Sequence, residues 1–273
     1  MKNFVVFIAG VMILIGVSCV GSNTKADDTV VSIKTEYGEI KVKLFNETPL
    51  HKNNFLKLVN EGFYNGLIFH RVIKNFMIQG GDPAATDPKR GIELSQTTMN
   101  YTVPAEFNPK FYHKRGVLAA ARRGGPVNPE KRSSPSQFYI VQGEIYRPGE
   151  LDTLVMMINK QRKDLLVREN LEGEKARLNE LKEKNDMQAF NLVVAGIMER
   201  VDSLYEADHI FSLSDEQRKV YTTIGGYPSL DGEYTIFGEV IEGMNVVDKI
   251  ADVETNANNR PLKDIEMKVE LVK

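Results

Sequence analysis

Both ends of the folded part of this chain repeat with a strict period of two. Val31 and Ile33 alternate with Ser32 and Lys34; after a turn at Tyr37-Gly38, Ile40, Val42 and Leu44 alternate with Lys41 and Lys43. Close to the C-terminus, Ile265, Met267, Val269 and Leu271 alternate with Glu266, Lys268 and Glu270. Successive side chains of a strand point to opposite faces, so each segment has one face to bury and one to wet. A first hairpin and a last strand of this kind predict a closed antiparallel barrel whose ends meet, since closure removes the unpaired edges.

The stretch from residue 66 to about residue 143 fits that reading, with short apolar runs punctuated by Gly, Pro and Asn. The pattern returns at Tyr234, Ile236, Phe237, Val240 and Ile241, with a short helical stretch from Val246 to Ile250. Thr48 is expected to cap a helix that has Pro49 at its first position, where a missing N–H costs nothing. Its apolar stripe is read as Leu50, Phe55, Leu58 and Val59, and Gly62 sits where the helix should stop.

Between the two barrel portions, 29–146 and 227–273, residues 147–226 have a different texture. Leu151, Leu154, Val155, Ile158, Leu165 and Leu166 recur at helical spacing among dense, balanced charges; Phe190, Val193, Val194, Ile197, Val201 and Leu204 form a second stripe. Two facing stripes can bury each other, so a helical hairpin is expected, packed beside the mouth of the site described below. Ser214 and Gln217 match a capping box for one more short helix. A substrate arm, a dimerisation element and an elaborate loop all fit such an insertion.

The N-terminus differs again. Lys2 precedes an apolar run over residues 4–17, too short for a comfortable membrane span and the right size for a signal-peptide core. Residues 1–18 are read as that signal and 19–28 as a linker. Gly16 and Ser18 lead to Cys19, the only cysteine of the 273 residues. This resembles a bacterial lipoprotein signal, with Cys19 as the lipid attachment point and the protein exported, periplasmic and membrane-anchored. Gly16 stands where such signals usually carry Leu, and an ordinary cleaved signal or an uncleaved anchor also fits. With one cysteine, no intramolecular disulfide can form.

The formal net charge of −2 argues against nucleic acid as a main partner, because counterion release needs concentrated Lys and Arg. The local basic cluster of Arg122, Arg123, Lys131 and Arg132 reads as a solvated loop. His51, His113 and His209 lack metal-ligand spacing, and His70 reads as a hydrogen-bonded structural histidine. Neither a Gly-rich phosphate loop, a nucleophile elbow nor a Cys/His pair is visible.

The most informative run is FHRVIKNFMIQGGD, residues 69–82. With a turn at Lys74-Asn75, Arg71, Met77 and Gln79 can share one strand face, gathering a permanent cation, apolar groups and an amide. In SQFYI, residues 136–140, Gln137 and Tyr139 face one way and Phe138 the other. With RGVLAAARR before it and LDGEYTIFGEV after it, the chain resembles a cyclophilin-type peptidyl-prolyl cis/trans isomerase, in three separated segments and in order. That resemblance implies a mainly β fold, a closed eight-stranded antiparallel barrel capped by helices, with the helical hairpin outside it.

It also implies roles. Arg71 matches the family's catalytic arginine; Phe76, Met77, Tyr139 and Leu230 match the walls of its proline pocket, with Tyr234 where many members have histidine. Gln79 and Gln137 match the amides that hold the substrate backbone, and Ala121 and Arg122 fall where backbone is presented to the peptide. Rotation about X–Pro breaks no covalent bond, so the reaction asks for no nucleophile, metal or other cofactor. The partners implied are proline-containing peptides and unfolded exported proteins. Ser229 stands in place of a tryptophan on which cyclosporin binding leans in the family, so weak inhibition is expected. The competing reading is a non-catalytic chaperone that grips proline segments and uses the insertion for further contact; the intact Arg71, Phe76, Met77 and Gln79 set favours the enzyme.

Overall fold

The computed structural model describes residues 29–86, 100–125, 127–208 and 210–272. The signal segment, the linker with Cys19, and His209 lie outside the described residues. In chain order the elements are β1 (Val30–Thr35), β2 (Gly38–Leu44), α1 (Pro49–Asn60), β3 (Leu67–Ile73), β4 (Met77–Gly80), β5 (Val117–Ala120) and β6 (Phe138–Val141). There follow α2 (Pro148–Gly173), α3 (Lys175–Glu183), α4 (Met187–Asp208), α5 (Asp215–Thr223), β7 (Ile236–Glu242), α6 (Met244–Ala251) and β8 (Glu266–Leu271).

The eight strands close into an antiparallel barrel in the order β1-β2-β7-β5-β6-β4-β3-β8, as the terminal alternation predicts. β1 is the seam. It pairs Val31 with Val42 and Ile33 with Ile40 on one side, and Ile33 with Val269 of β8 on the other. All five of these side chains are buried with Phe55, Phe69, Phe138 and Ile140 in one core. Each fully buried aliphatic side chain contributes roughly 1.5–3 kcal/mol, so a one-residue slip of β1, which would turn this row outward, is strongly disfavoured.

Helix α1 covers that core with Phe55, Leu58 and Val59, and Gly62, at φ 67°, ends it in the left-handed conformation. Its N-terminus departs from expectation. Thr48 stands at the cap position but its side chain makes no capping bond; the Leu50 and His51 N–H groups instead donate to the Glu106 carboxylate at 3.0 and 2.9 Å. His51 replaces Leu50 in the buried stripe, and Leu50 is 49% exposed. The reason is local satisfaction: the His51 ring meets Glu106 through Nδ1 at 2.7 Å and Ser133 Oγ through Nε2 at 2.9 Å.

The insertion is more than a two-helix hairpin. α2 and α4 run antiparallel, bridged by Lys163 with Asp202, and α3 fills the turn between them; Asn159 of α2 bonds the Phe211 backbone in the segment that follows α4. Leu166, Leu178, Ile197 and Val201 form its outer core. Nearer the barrel, Leu151 and Ile158 pack not on α4 but on Phe211, Leu213 and Tyr221, with Tyr112 of the barrel loop against them. Leu165 and Leu204 lie outside both clusters, at 50% and 41% exposure, because a neighbour one residue along a helix turns about 100° away. α5 begins with the expected box: Ser214 Oγ accepts from the Gln217 N–H, and the Gln217 side chain accepts from the Ser214 N–H.

Candidate active site

The site lies on the strand faces opposite the main core. β3 and β4 turn through Lys74 and Asn75, the latter at φ 61°, which asparagine tolerates better than most residues. The register then sets Arg71 opposite Gln79 and Ile73 opposite Met77. β6 adds Tyr139 beside Gln79, and β5 adds Ala119 beside Tyr139. A short helical turn at Pro228–Leu230 delivers Leu230 from the far side.

Together these form a cavity of about 250 Å³, lined by Arg71, Phe76, Met77, Gln79, Ala121, Arg122, Tyr139, Leu230 and Tyr234. Nine of the ten site residues expected on the barrel line one pocket, and the tenth, Gln137, is hydrogen-bonded to Gln79 just beside it. The floor is apolar: Met77, Ala121 and Tyr139 are buried in a cluster with Val117, Ala119, Val141 and Ile236.

One polar chain crosses the rim. Arg71 donates to Gln79 Oε1 at 3.2 Å, Gln79 Nε2 donates to Gln137 Oε1 at 3.2 Å, and Gln137 Nε2 donates to Asp82 at 3.0 Å. A cation at one end and an anion at the other orient both amides, because a guanidinium only donates and a carboxylate only accepts. Asp82 is thus part of the site; the end of the FHRVIKNFMIQGGD run is the signal that points to it. The Arg71 guanidinium also lies 5.8 Å from the Phe76 ring centroid, and it forms no ion pair among the described residues.

Other placements refine the expectation. Ala121 uses its N–H on Gln137 and its carbonyl on Ser134 within the protein, at 2.9 and 2.8 Å. The Arg122 side chain folds back over the Tyr234 ring at 4.7 Å and onto Glu233, rather than reaching outward as a solvated loop charge. Tyr227, not singled out in the sequence, covers Phe76 with ring centroids 4.2 Å apart. His70 has no partner for its Nδ1 among the described residues; burial lowers its pKa, with the Asp82 charge opposing and Arg260 and Arg71 adding to the fall. Burial raises the Tyr139 pKa well above the usual tyrosine value, so its hydroxyl stays protonated and needs a partner. That partner is His113 Nε2, at 2.9 Å.

With this geometry, the chain matches the family model "Cyclophilin type peptidyl-prolyl cis-trans isomerase/CLD" over residues 30–208 and 214–270. It belongs to the cyclophilin-type peptidyl-prolyl cis-trans isomerases, and its enzymatic class is that of the family. A Staphylococcus haemolyticus protein named as a peptidyl-prolyl cis-trans isomerase is 27% identical over 236 residues, covering 86% of each chain. A Streptococcus pyogenes protein named as a bifunctional phosphatase/peptidyl-prolyl cis-trans isomerase is 28% identical over 238 residues; the match covers 86% of this chain and 37% of that one. Among solved structures, a Cryptosporidium parvum cyclophilin type isomerase shares the fold, with a TM-score of 0.52 at 20% identity over 90% of this chain and 98% of its own. The same protein was also crystallised in the presence of the dipeptide Ala-Pro, with a TM-score of 0.51 at 21% identity.

Proposed function

We propose that this pocket seats the proline ring of an X–Pro segment against Phe76, Met77, Tyr139, Leu230 and Tyr234, while Arg71 catalyses rotation of the bond. Planarity of the peptide bond comes from C–N resonance, and breaking it raises a barrier of about 18–20 kcal/mol. In the twisted state the prolyl nitrogen becomes pyramidal and regains a lone pair. A guanidinium that donates to that lone pair stabilises the twisted form over the planar one, which is differential binding of the transition state. One charged hydrogen bond contributes roughly 1.5–3 kcal/mol, or about one to two decades in rate. The apolar pocket floor and the grip of Gln79, Gln137 and Arg122 on the substrate backbone supply the remainder, by holding one side of the bond while the other turns.

The observation that carries this reading is the state of Arg71: it stands at the pocket beside Phe76, with Gln79 as its side-chain hydrogen-bond partner and no ion pair among the described residues. It can therefore give its remaining N–H groups to a substrate. In a proline-peptide isomerisation assay, Arg71→Ala is expected to lose about tenfold or more in kcat/KM. Equal activity in variant and wild type would sink the mechanism.

The clients are read as unfolded exported proteins, and the enzyme as a periplasmic lipoprotein held to its membrane through Cys19. The support is the signal-like segment 1–18 and the placement of the lone cysteine directly after it. Cys19→Ser is expected to move the protein from the membrane to the soluble fraction of cells; unchanged fractionation would contradict the anchor.

A further inference from the structure

Behind the proline pocket lies a buried hydrogen-bonded chain that the rotation mechanism does not use. The Tyr139 hydroxyl meets His113 Nε2 at 2.9 Å, and His113 Nδ1 meets Asp231 Oδ1 at 2.9 Å. The His113 backbone N–H donates to the same oxygen at 2.6 Å, and Tyr221 donates its hydroxyl to Asp231 Oδ2 at 2.6 Å. A carboxylate only accepts, so in a neutral ring Nδ1 carries the proton and Nε2 accepts from Tyr139. His113 and Tyr221 are fully buried, and Tyr139 and Asp231 nearly so. Water therefore cannot readily replace a missing member.

Tyr221 is the one member contributed by the insertion, from helix α5. Its seat is built closely. Its ring packs edge-on against Tyr112 at 5.7 Å, and its carbonyl accepts from the Tyr146 N–H at 3.1 Å. A Cβ on Gly226 would fall 2.6 Å from the Tyr221 ring and 2.2 Å from the His113 carbonyl oxygen, so only glycine lets the two approach. The near end of the chain is a pocket wall, and the far end is a helix outside the barrel.

We propose that Tyr221 is a positioning residue for the proline pocket, acting through Asp231 and His113 on the Tyr139 ring. The inference rests on the reading of Tyr139 as a pocket wall. It gives the insertion a role in turnover that does not require the insertion to touch substrate. Removing the Tyr221 hydroxyl leaves Asp231 Oδ2 short of a donor, frees the carboxylate and His113 to shift, and loosens the ring that the proline packs against.

A double-mutant cycle on proline-peptide turnover tests this, using full-length wild type, Tyr221→Phe, Tyr139→Phe and the double variant, with Arg71→Ala alongside. Both phenylalanines keep ring and packing, so the variants are expected to fold. Tyr221→Phe should lower kcat/KM by about 3–10-fold in the wild-type background and by less than about 1.5-fold when Tyr139 is already phenylalanine. General destabilisation would act alike in both backgrounds. The inference is overturned by no loss in Tyr221→Phe, or by the same loss in both backgrounds. If that happens while Arg71→Ala still loses activity, only the positioning role fails; if Arg71→Ala is also fully active, the reading of the whole pocket fails.

Discussion

At the scale of the residue, what a side chain does here is set by what it meets. Thr48 has the sequence of a helix cap, yet its buried Oγ1 has no hydrogen-bond partner among the described residues, while Glu106, from 56 residues downstream of Leu50, takes the donors instead. Thr48→Val keeps the shape and removes an unsatisfied hydroxyl, so its unfolding free energy should stay within about 0.5 kcal/mol of wild type or rise. Glu106→Ala strips charged acceptors from two backbone N–H groups and from His51, and should cost about 2 kcal/mol or more. Urea unfolding of the two variants checks both; a larger loss in Thr48→Val than in Glu106→Ala would reverse the assignment. Arg71, Phe76, Met77, Gln79 and Tyr139 were legible because they sit inside short motifs whose strand period puts them on one face. Asp231, His113 and Tyr221 were not, because they meet only through the tertiary fold. The one hint was the hydroxyl of Tyr139, which needs a partner once the ring is buried.

At the scale of the element, strand alternation was the reliable signal. β2 and most of β8 alternate between buried and wet positions, so period two is written plainly and the closed barrel follows from it. Two positions depart from the alternation: Ser32 of β1 is buried because its hydroxyl donates to Glu39, and Leu271 at the end of β8 is exposed. β5 and β6 are buried throughout, so they show continuous apolar runs and only the motif told their faces apart. The insertion was legible as helices but not as a packing pattern. An apolar stripe shows which face wants cover; it does not name the cover. Leu151 and Ile158 found Phe211, Leu213 and Tyr221 from the return segment, and not the stripe of α4. That switch brings α5 against the barrel and places Tyr221 within reach of Asp231.

At the scale of the whole molecule, stability should depend on pH through buried histidines. Burial lowers the pKa of His51, with Glu106 opposing, and burial lowers that of His70. Both stay neutral when folded at pH values where the unfolded chain has begun to take up protons near the ordinary value of 6.5. Their stabilisation is therefore complete above that value and falls as pH drops toward the lowered folded values. Glu270, held down to about 2 by Lys268 and Lys34, acts in a separate window, below the usual 4.5. Urea midpoints measured from about pH 8 to about pH 5 should fall on acidification, and less steeply in His70→Gln. A rising midpoint would contradict the sign.

The most direct test separates grip from rotation at Arg71. NMR exchange on one proline peptide, with wild type and with Arg71→Ala, yields both the affinity and the rate of cis/trans interconversion while bound. The expected result is affinity retained within about threefold and bound-state rotation slowed by about 10–100-fold. Rotation at the wild-type rate on Arg71→Ala would contradict the claim that this guanidinium stabilises the twisted bond.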